Sequence, residues 1–94
     1  MAVEVRVPTI LRPYTAGEKA VQGSGSTIDE VIADLESRYP GLRERLVDDA
    51  GLHRFVNVYL NDEDVRFLGG LTTAVADGDS VTILPAVAGG SAVG

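Results

Sequence analysis

The sequence predicts an α+β domain, a sheet with one long helix laid across one of its faces, and three features carry that reading. Val3, Val5 and Val7 alternate with Ala2, Glu4 and Arg6, the period-two pattern of a strand with one face in a core. Ile28, Val31, Ile32, Leu35 and Tyr39 recur at helical spacing, so that segment buries one stripe. Strand patterns return after it, giving the order β-β-α-β-(β)-β. With no second long helix in 94 residues, the far face of the sheet stays uncovered.

After the first strand, Pro8 and Pro13 bracket a loop, and Glu18 to Gln22 forms a weaker second strand. Arg12 to Gly17 is then the hairpin connection, longer than a tight two-residue turn. Gly23-Ser24-Gly25-Ser26 stops the strand. Thr27-Ile28-Asp29-Glu30 is a capping box: Thr27 accepts from the Glu30 amide and the Glu30 side chain reaches back. The helix runs from Ile28 to about Tyr39, where Pro40-Gly41 ends it. Leu42 and Leu46 mark one further helical turn, and Asp48 to Gly51 a loop. Phe55 to Leu60 is the strongest strand, with Val56, Val58 and Leu60 on one face and Phe55, Asn57 and Tyr59 on the other. Asn61 to Asp64 is an acidic turn, Val65 to Phe67 a short strand, and Leu71 to Val75 a helical turn after the Gly69-Gly70 break. Asp77-Gly78-Asp79 turns the chain into a last strand, Ser80 to Val87. There Val81 and Ile83 share one face, Thr82 and Leu84 the other.

Composition narrows the function. A chain of 94 residues fits one domain, which buries about 60–65% of its unfolded surface. The net charge of −6, from 14 acids and 8 bases, argues against nucleic acid and anionic membranes as partners. There is no cysteine, which excludes disulfides, iron–sulfur clusters, thiolate zinc sites and cysteine nucleophiles. The first residues lack the basic start and apolar run of a signal peptide, and no stretch reaches the roughly 18 apolar residues of a membrane span. The expected location is the cytoplasm.

Few residues offer catalysis. Gly23-Ser24-Gly25 precedes a helix, as phosphate-binding loops do, but Ile28 stands where a dinucleotide fingerprint needs its third glycine, so the segment reads as a loop entering a capped helix. His53 is the single histidine and has no Ser or Cys partner nearby in sequence; it reads as a surface residue rather than a general base. Asp62-Glu63-Asp64 lacks EF-hand spacing and reads as a solvated turn. The uncovered sheet face is more telling. Phe55, Tyr59 and Leu84 point outward together, with Asp62, Glu63, Asp64 and Arg66 around them, which is the pattern of a protein-partner interface.

The end of the sequence is the sharpest signal. From Ala86 onward every residue is small except Val87 and Val93, and none is charged. The domain is expected to span 1–88, with the tail starting near 86 and 89–94 forming its far part. Fully extended, residues 86–90 reach roughly 17 Å. After Ala88, the Gly89-Gly90 end carries no side chain and can thread a narrow channel to bring a backbone carbonyl to a reactive group.

Together, the β-β-α-β-β order, the Asp77-to-Gly90 run (DGDSVTILPAVAGG) and the missing cysteines resemble the ubiquitin-like β-grasp sulfur carriers of the ThiS/MoaD type. Ile10-Leu11-Arg12-Pro13, His53 to Asn57 and Asn61 to Phe67 place the resemblance on the actinobacterial branch that serves cysteine biosynthesis. It spans residues 1 to 90. The resemblance implies a β-grasp fold and a carrier, not an enzyme. An E1-like adenylyltransferase/sulfurtransferase with Mg·ATP would adenylate the carboxylate of Gly90, and a sulfur donor would convert it to a thiocarboxylate. A cysteine synthase using pyridoxal phosphate would accept the sulfur, and a JAMM-type zinc metalloprotease would release the product. ATP, magnesium, zinc and pyridoxal phosphate belong to those partners, so this chain is expected to bind no cofactor and to be monomeric alone.

One departure matters. Ser91-Ala92-Val93-Gly94 follow Gly90, so the chain is expected to be a precursor cleaved between Gly90 and Ser91, the alternatives being a chain kept inactive or one activated at Gly94, which lacks the paired glycine. The resemblance leaves three alternatives open: the small subunit of molybdopterin synthase, a carrier for thiazole, thiosugar or other thio-metabolites, and a ubiquitin-like protein modifier.

Overall fold

The computed structural model describes residues 2–85. The alternating valines build β1 (Ala2–Arg6), in which Val3 and Val5 are sealed in the core and Glu4 and Arg6 face out. Thr9–Thr15 winds as a 3-10 helix where the prolines suggested a loop. Pro8 supplies the extended residue before it, Leu11 turns inward, and Ile10 is left 62% exposed. The hydroxyl of buried Thr15 donates within hydrogen-bond reach of the Arg12 and Glu18 carbonyls, at 3.3 and 3.0 Å, and closes the connection.

The second strand, β2 (Ala20–Ser24), lies two residues later than the sequence suggested and runs through Gly23 and Ser24. The reason is packing. A Cβ on Gly23 would stand 2.7 Å from Val31 Cγ1, so the glycine lets the helix settle on the strand. The helix α1 (Ile28–Arg38) is capped by Thr27, whose hydroxyl accepts from the Glu30 amide at 3.2 Å. The Glu30 carboxylate accepts from the Ser26 amide at 2.7 Å, one residue before the expected one. Ile28, Val31, Ile32 and Leu35 are buried, as the spacing predicts. On the flank of α1, Asp34 and Arg38 pair at 3.1 Å. Asp34 accepts from Ser24 N–H at 2.9 Å and Arg38 donates to the Gln22 carbonyl, so the open edge of β2 is occupied by helix side chains.

Gly41, at φ 97, starts α2 (Leu42–Leu46), whose two leucines are fully buried. The expected loop at Asp48 to Gly51 is a miniature hairpin, β3 (Val47–Asp48) against β4 (Gly51–Leu52). The strand β5 (Val56–Leu60) turns through Asn61 and Asp62, both at positive φ (51 and 74), into β6 (Glu63–Asp64). That is a two-residue hairpin loop, in which both central residues take the left-handed conformation.

Val65–Phe67 is a 3-10 turn, not a strand: the Asp64 carboxylate accepts from the Arg66 amide, Val65 plugs the core, and Phe67 swings out to 86% exposure. Gly70–Thr72 forms a further 3-10 turn, shorter and earlier than the helical turn expected at Leu71 to Val75, and Ala74 then bridges to Thr27. The last strand, β7, is described over Ser80–Pro85; Val87 lies outside the described residues.

The sheet order is β2-β1-β7-β5-β6, with β1 and β7 parallel and the other neighbours antiparallel. Val3, Val5, Val58, Val81 and Ile83 meet Val31, Ile32 and Leu35 in the layer between sheet and helix. Burying each such side chain contributes about 1.5–3 kcal/mol. Among the described residues no helix is long and apolar enough to cross a membrane.

Candidate functional site

The antiparallel pairing of β5 with β7 builds the outer face. Asn57 lies opposite Leu84 and Tyr59 opposite Thr82, all pointing away from α1. The same register puts Val56 opposite Pro85, so the described end of β7 lies next to the residue that follows Phe55. Leu84, 45% exposed, divides two depressions. One, of about 210 Å³, is lined by Tyr59, Asp62, Thr82 and Leu84. The other, of about 260 Å³, is a mainly apolar cleft lined by Ile10, Phe55, Leu84 and Pro85, with Glu44, Arg45 and His53 also lining it. Phe55 is 59% exposed there, with the Arg54 guanidinium 5.3 Å above its ring.

Phe55, Tyr59, Leu84 and Asp62 therefore share one continuous surface around the root of the tail. Glu63 is exposed at the β6 turn, and Asp64 uses its carboxylate as the cap of the 65–67 turn. Arg66 is exposed, but its guanidinium is engaged with the protein. Its guanidinium donates to the His53 and Val56 carbonyls at 2.6 Å each and to Asn57 Oδ1 at 2.9 Å, gripping the two ends of the segment that presents Phe55. Ala88, Gly89, Gly90 and Ser91 lie outside the described residues. Ile10 belongs to this surface and was not predicted from sequence. The signal was available: with Leu11 committed inward, the neighbouring residue of a tight 3-10 turn must face out.

His53 sits at a junction rather than at a reaction centre: Nε2 is 3.0 Å from the Glu44 carbonyl and Nδ1 is 3.3 Å from Asp48. Gly25 serves close approach, since a Cβ would lie 2.7 Å from Glu30 Cβ. Among the described residues no three His, Asp or Glu side chains gather as a metal site. The two perturbed acids hold turns together. The Arg43 and Gly41 amides lower the Glu36 pKa where they fix the start of α2. The Ala76 amide and then the Asn61 side chain lower that of Asp79 at the entry to β7.

A mixed five-stranded sheet embracing one long helix, with its outer face open beside the exit of the last strand, is the ubiquitin-like β-grasp. The family model described as "ThiS family" matches residues 5–90, and the chain belongs to the ThiS family. It is 66% identical over 93 residues to the sulfur carrier protein CysO of Mycobacterium tuberculosis, covering 96% of this chain and 100% of that one. The crystal structure of M. tuberculosis CysO superposes with a TM-score of 0.86 at 65% identity, over 90% of this chain and 99% of that chain. A chain of the crystal structure of the Amycolatopsis orientalis BexX/CysO complex gives a TM-score of 0.89 at 56% identity, covering 98% of this chain and 99% of that chain. At greater distance, the small archaeal modifier protein 3 of Haloferax volcanii is 37% identical over 93 residues, 96% of this chain and 100% of its own.

Proposed function

We propose that this protein is a sulfur carrier whose working atom is the carboxyl carbon of Gly90, exposed by removal of Ser91–Gly94. The observation that carries the proposal is the near-full-length identity to a sulfur carrier, in a family whose match extends through Gly89 and Gly90. The chemistry suits a chain without cysteine. A Gly90 carboxylate oxygen attacks the α-phosphorus of ATP and pyrophosphate leaves, giving an acyl-adenylate. Sulfide sulfur attacks the acyl carbon, AMP leaves, and a thiocarboxylate remains as the nucleophile that donates sulfur. The activating enzyme supplies Mg·ATP, while this chain supplies a side-chain-free tail and a docking surface of Phe55, Tyr59, Leu84 and Asp62. The likeness to CysO favours cysteine as the destination, through a pyridoxal-phosphate-dependent synthase, with a JAMM-type metalloprotease acting on the tail. The carrier itself catalyses nothing and works in the cytoplasm.

The likeness to an archaeal modifier protein favours a second reading, in which the activated Gly90 is joined to lysines of other proteins. Intact-mass spectrometry separates the two. After incubation with the activating enzyme, Mg·ATP and sulfide, preceded by the metalloprotease, a carrier loses Ser91–Gly94 and then exchanges one oxygen for sulfur. High-mass conjugates without a sulfur gain would establish the modifier. An unchanged mass would overturn both.

A further inference from the structure

On the opposite half of the outer face, towards β1 and β2, lies a groove of about 410 Å³ that shares only Leu84 with the apolar docking surface proposed above. Arg6, Arg12 and Lys19 line it, with Glu4, Thr82 and Leu84. Three cations against one carboxylate leave a local balance of +2 in a chain of net charge −6. Among the described residues that charge is uncompensated. Arg6 has only Glu4, at the 4.0 Å limit of an ion pair and with both side chains solvated, and no carboxylate pairs with Arg12 or Lys19. Arg12 is also anchored, because Nε donates to the Val7 carbonyl at 3.2 Å and leaves the two Nη groups for a ligand. Across the sheet the order β2-β1-β7-β5-β6 sets this basic groove on one side of Leu84 and Asp62, Glu63 and Asp64 on the other.

We infer that the groove is a docking site for an acidic segment of a partner protein, one carrying two or three carboxylates within a few residues. Range decides against a longer polyanion. The groove's positive potential is felt only within a Debye length, about 8 Å at physiological salt. Beyond that the acidic remainder of the chain repels, so a short anionic stretch gains while a polynucleotide, with a charge every ~1.7 Å of duplex, runs onto like charge. Arginine forks at Arg6 and Arg12 suit planar carboxylates. Since the groove adjoins Leu84, a partner seated on the apolar surface would be turned by this contact into one orientation.

Amide chemical shifts of the ¹⁵N-labelled protein, titrated with a hexaglutamate peptide at low salt, test the site. The expected response is confined to Arg6, Lys19, Ala20 and Thr82, with a Kd of about 1 mM, weakening at least tenfold at ~0.3 M salt. The Arg6→Glu/Lys19→Glu variant should lose the response while keeping its dispersed spectrum, and Arg6→Lys/Lys19→Arg should keep it. If that charge reversal unfolds the chain, Lys19→Gln alone must still weaken binding severalfold. Inorganic phosphate reproducing the same shifts at equal charge would overturn the inference in favour of a small-anion site. Tighter binding of oligo-dT would overturn it in favour of nucleic acid. Shifts spread over the surface, or unchanged in Lys19→Gln, would leave no site at all.

Discussion

The two faces of one sheet do different work with nearly the same residues. On β7, Val81 and Ile83 are each 3% exposed against α1, while Leu84, next in the chain, is 45% exposed on the other side. On β5, Val58 is sealed and Tyr59 is half-buried. The inner face is a dry aliphatic layer in which every neighbour is fixed by the fold. The outer face carries exposed apolar side chains between a basic groove and an acidic hairpin, the composition expected of a contact surface. On the reading proposed above, apolar residues serve stability on one side of the sheet and recognition on the other, with a single step of the pleat between the two.

Substitutions that respect or violate that division should differ sharply. Leu35→Ala, at the centre of the inner layer with no exposed surface, should cost about 3 kcal/mol and lower Tm by about 15 °C in thermal unfolding. A smaller loss of roughly 1–3 kcal/mol is expected for Gly23→Ala, because the new methyl must push Val31 off the strand. Thr27→Ala removes the α1 cap and should cost about 1 kcal/mol in urea titrations.

Acid sensitivity should trace partly to Glu36. Hydrogen bonds from the Arg43 and Gly41 amides hold its pKa below the ordinary 4.5, so the folded state binds the proton less tightly than the unfolded chain. Its contribution is complete above that ordinary value and is lost as pH falls through the lowered one. Glu36→Gln should lower stability at pH 7, where that contribution is complete, and converge with the parent as pH falls through the lowered pKa, so the acid limb of its stability profile is flatter. Smallest of all, Leu84→Ser on the outer face should stay within about 0.5 kcal/mol of the parent.

The inner face was legible because its information is periodic. Alternation in Val3-Val5-Val7 and the helical spacing of Ile28 to Leu35 state directly which residues meet. What escaped was local and short. β3 and β4 have two residues each, too few for a pattern, and are held by Gly51 at φ 118 and the Asp48 turn. Val65-Arg66-Phe67 has strand-forming residues, yet the Asp64 cap outweighs that propensity and sends Val65 and Phe67 to opposite environments. Of the candidate site, the outward set of Tyr59 and Leu84 was readable from the pleat. The grip of Arg66 on the His53 and Val56 carbonyls was not, since backbone acceptors leave no mark in a sequence.

The central claim, that the outer face docks and the inner face folds, is tested by one paired measurement on Phe55→Ser/Leu84→Ser: thermal stability alongside the rate of sulfur loading on Gly90 by the activating enzyme. The account predicts a Tm within about 3 °C of the parent and a loading efficiency reduced at least 30-fold, as for truncation of a central apolar contact. Loading at the parental rate by the folded variant would contradict it.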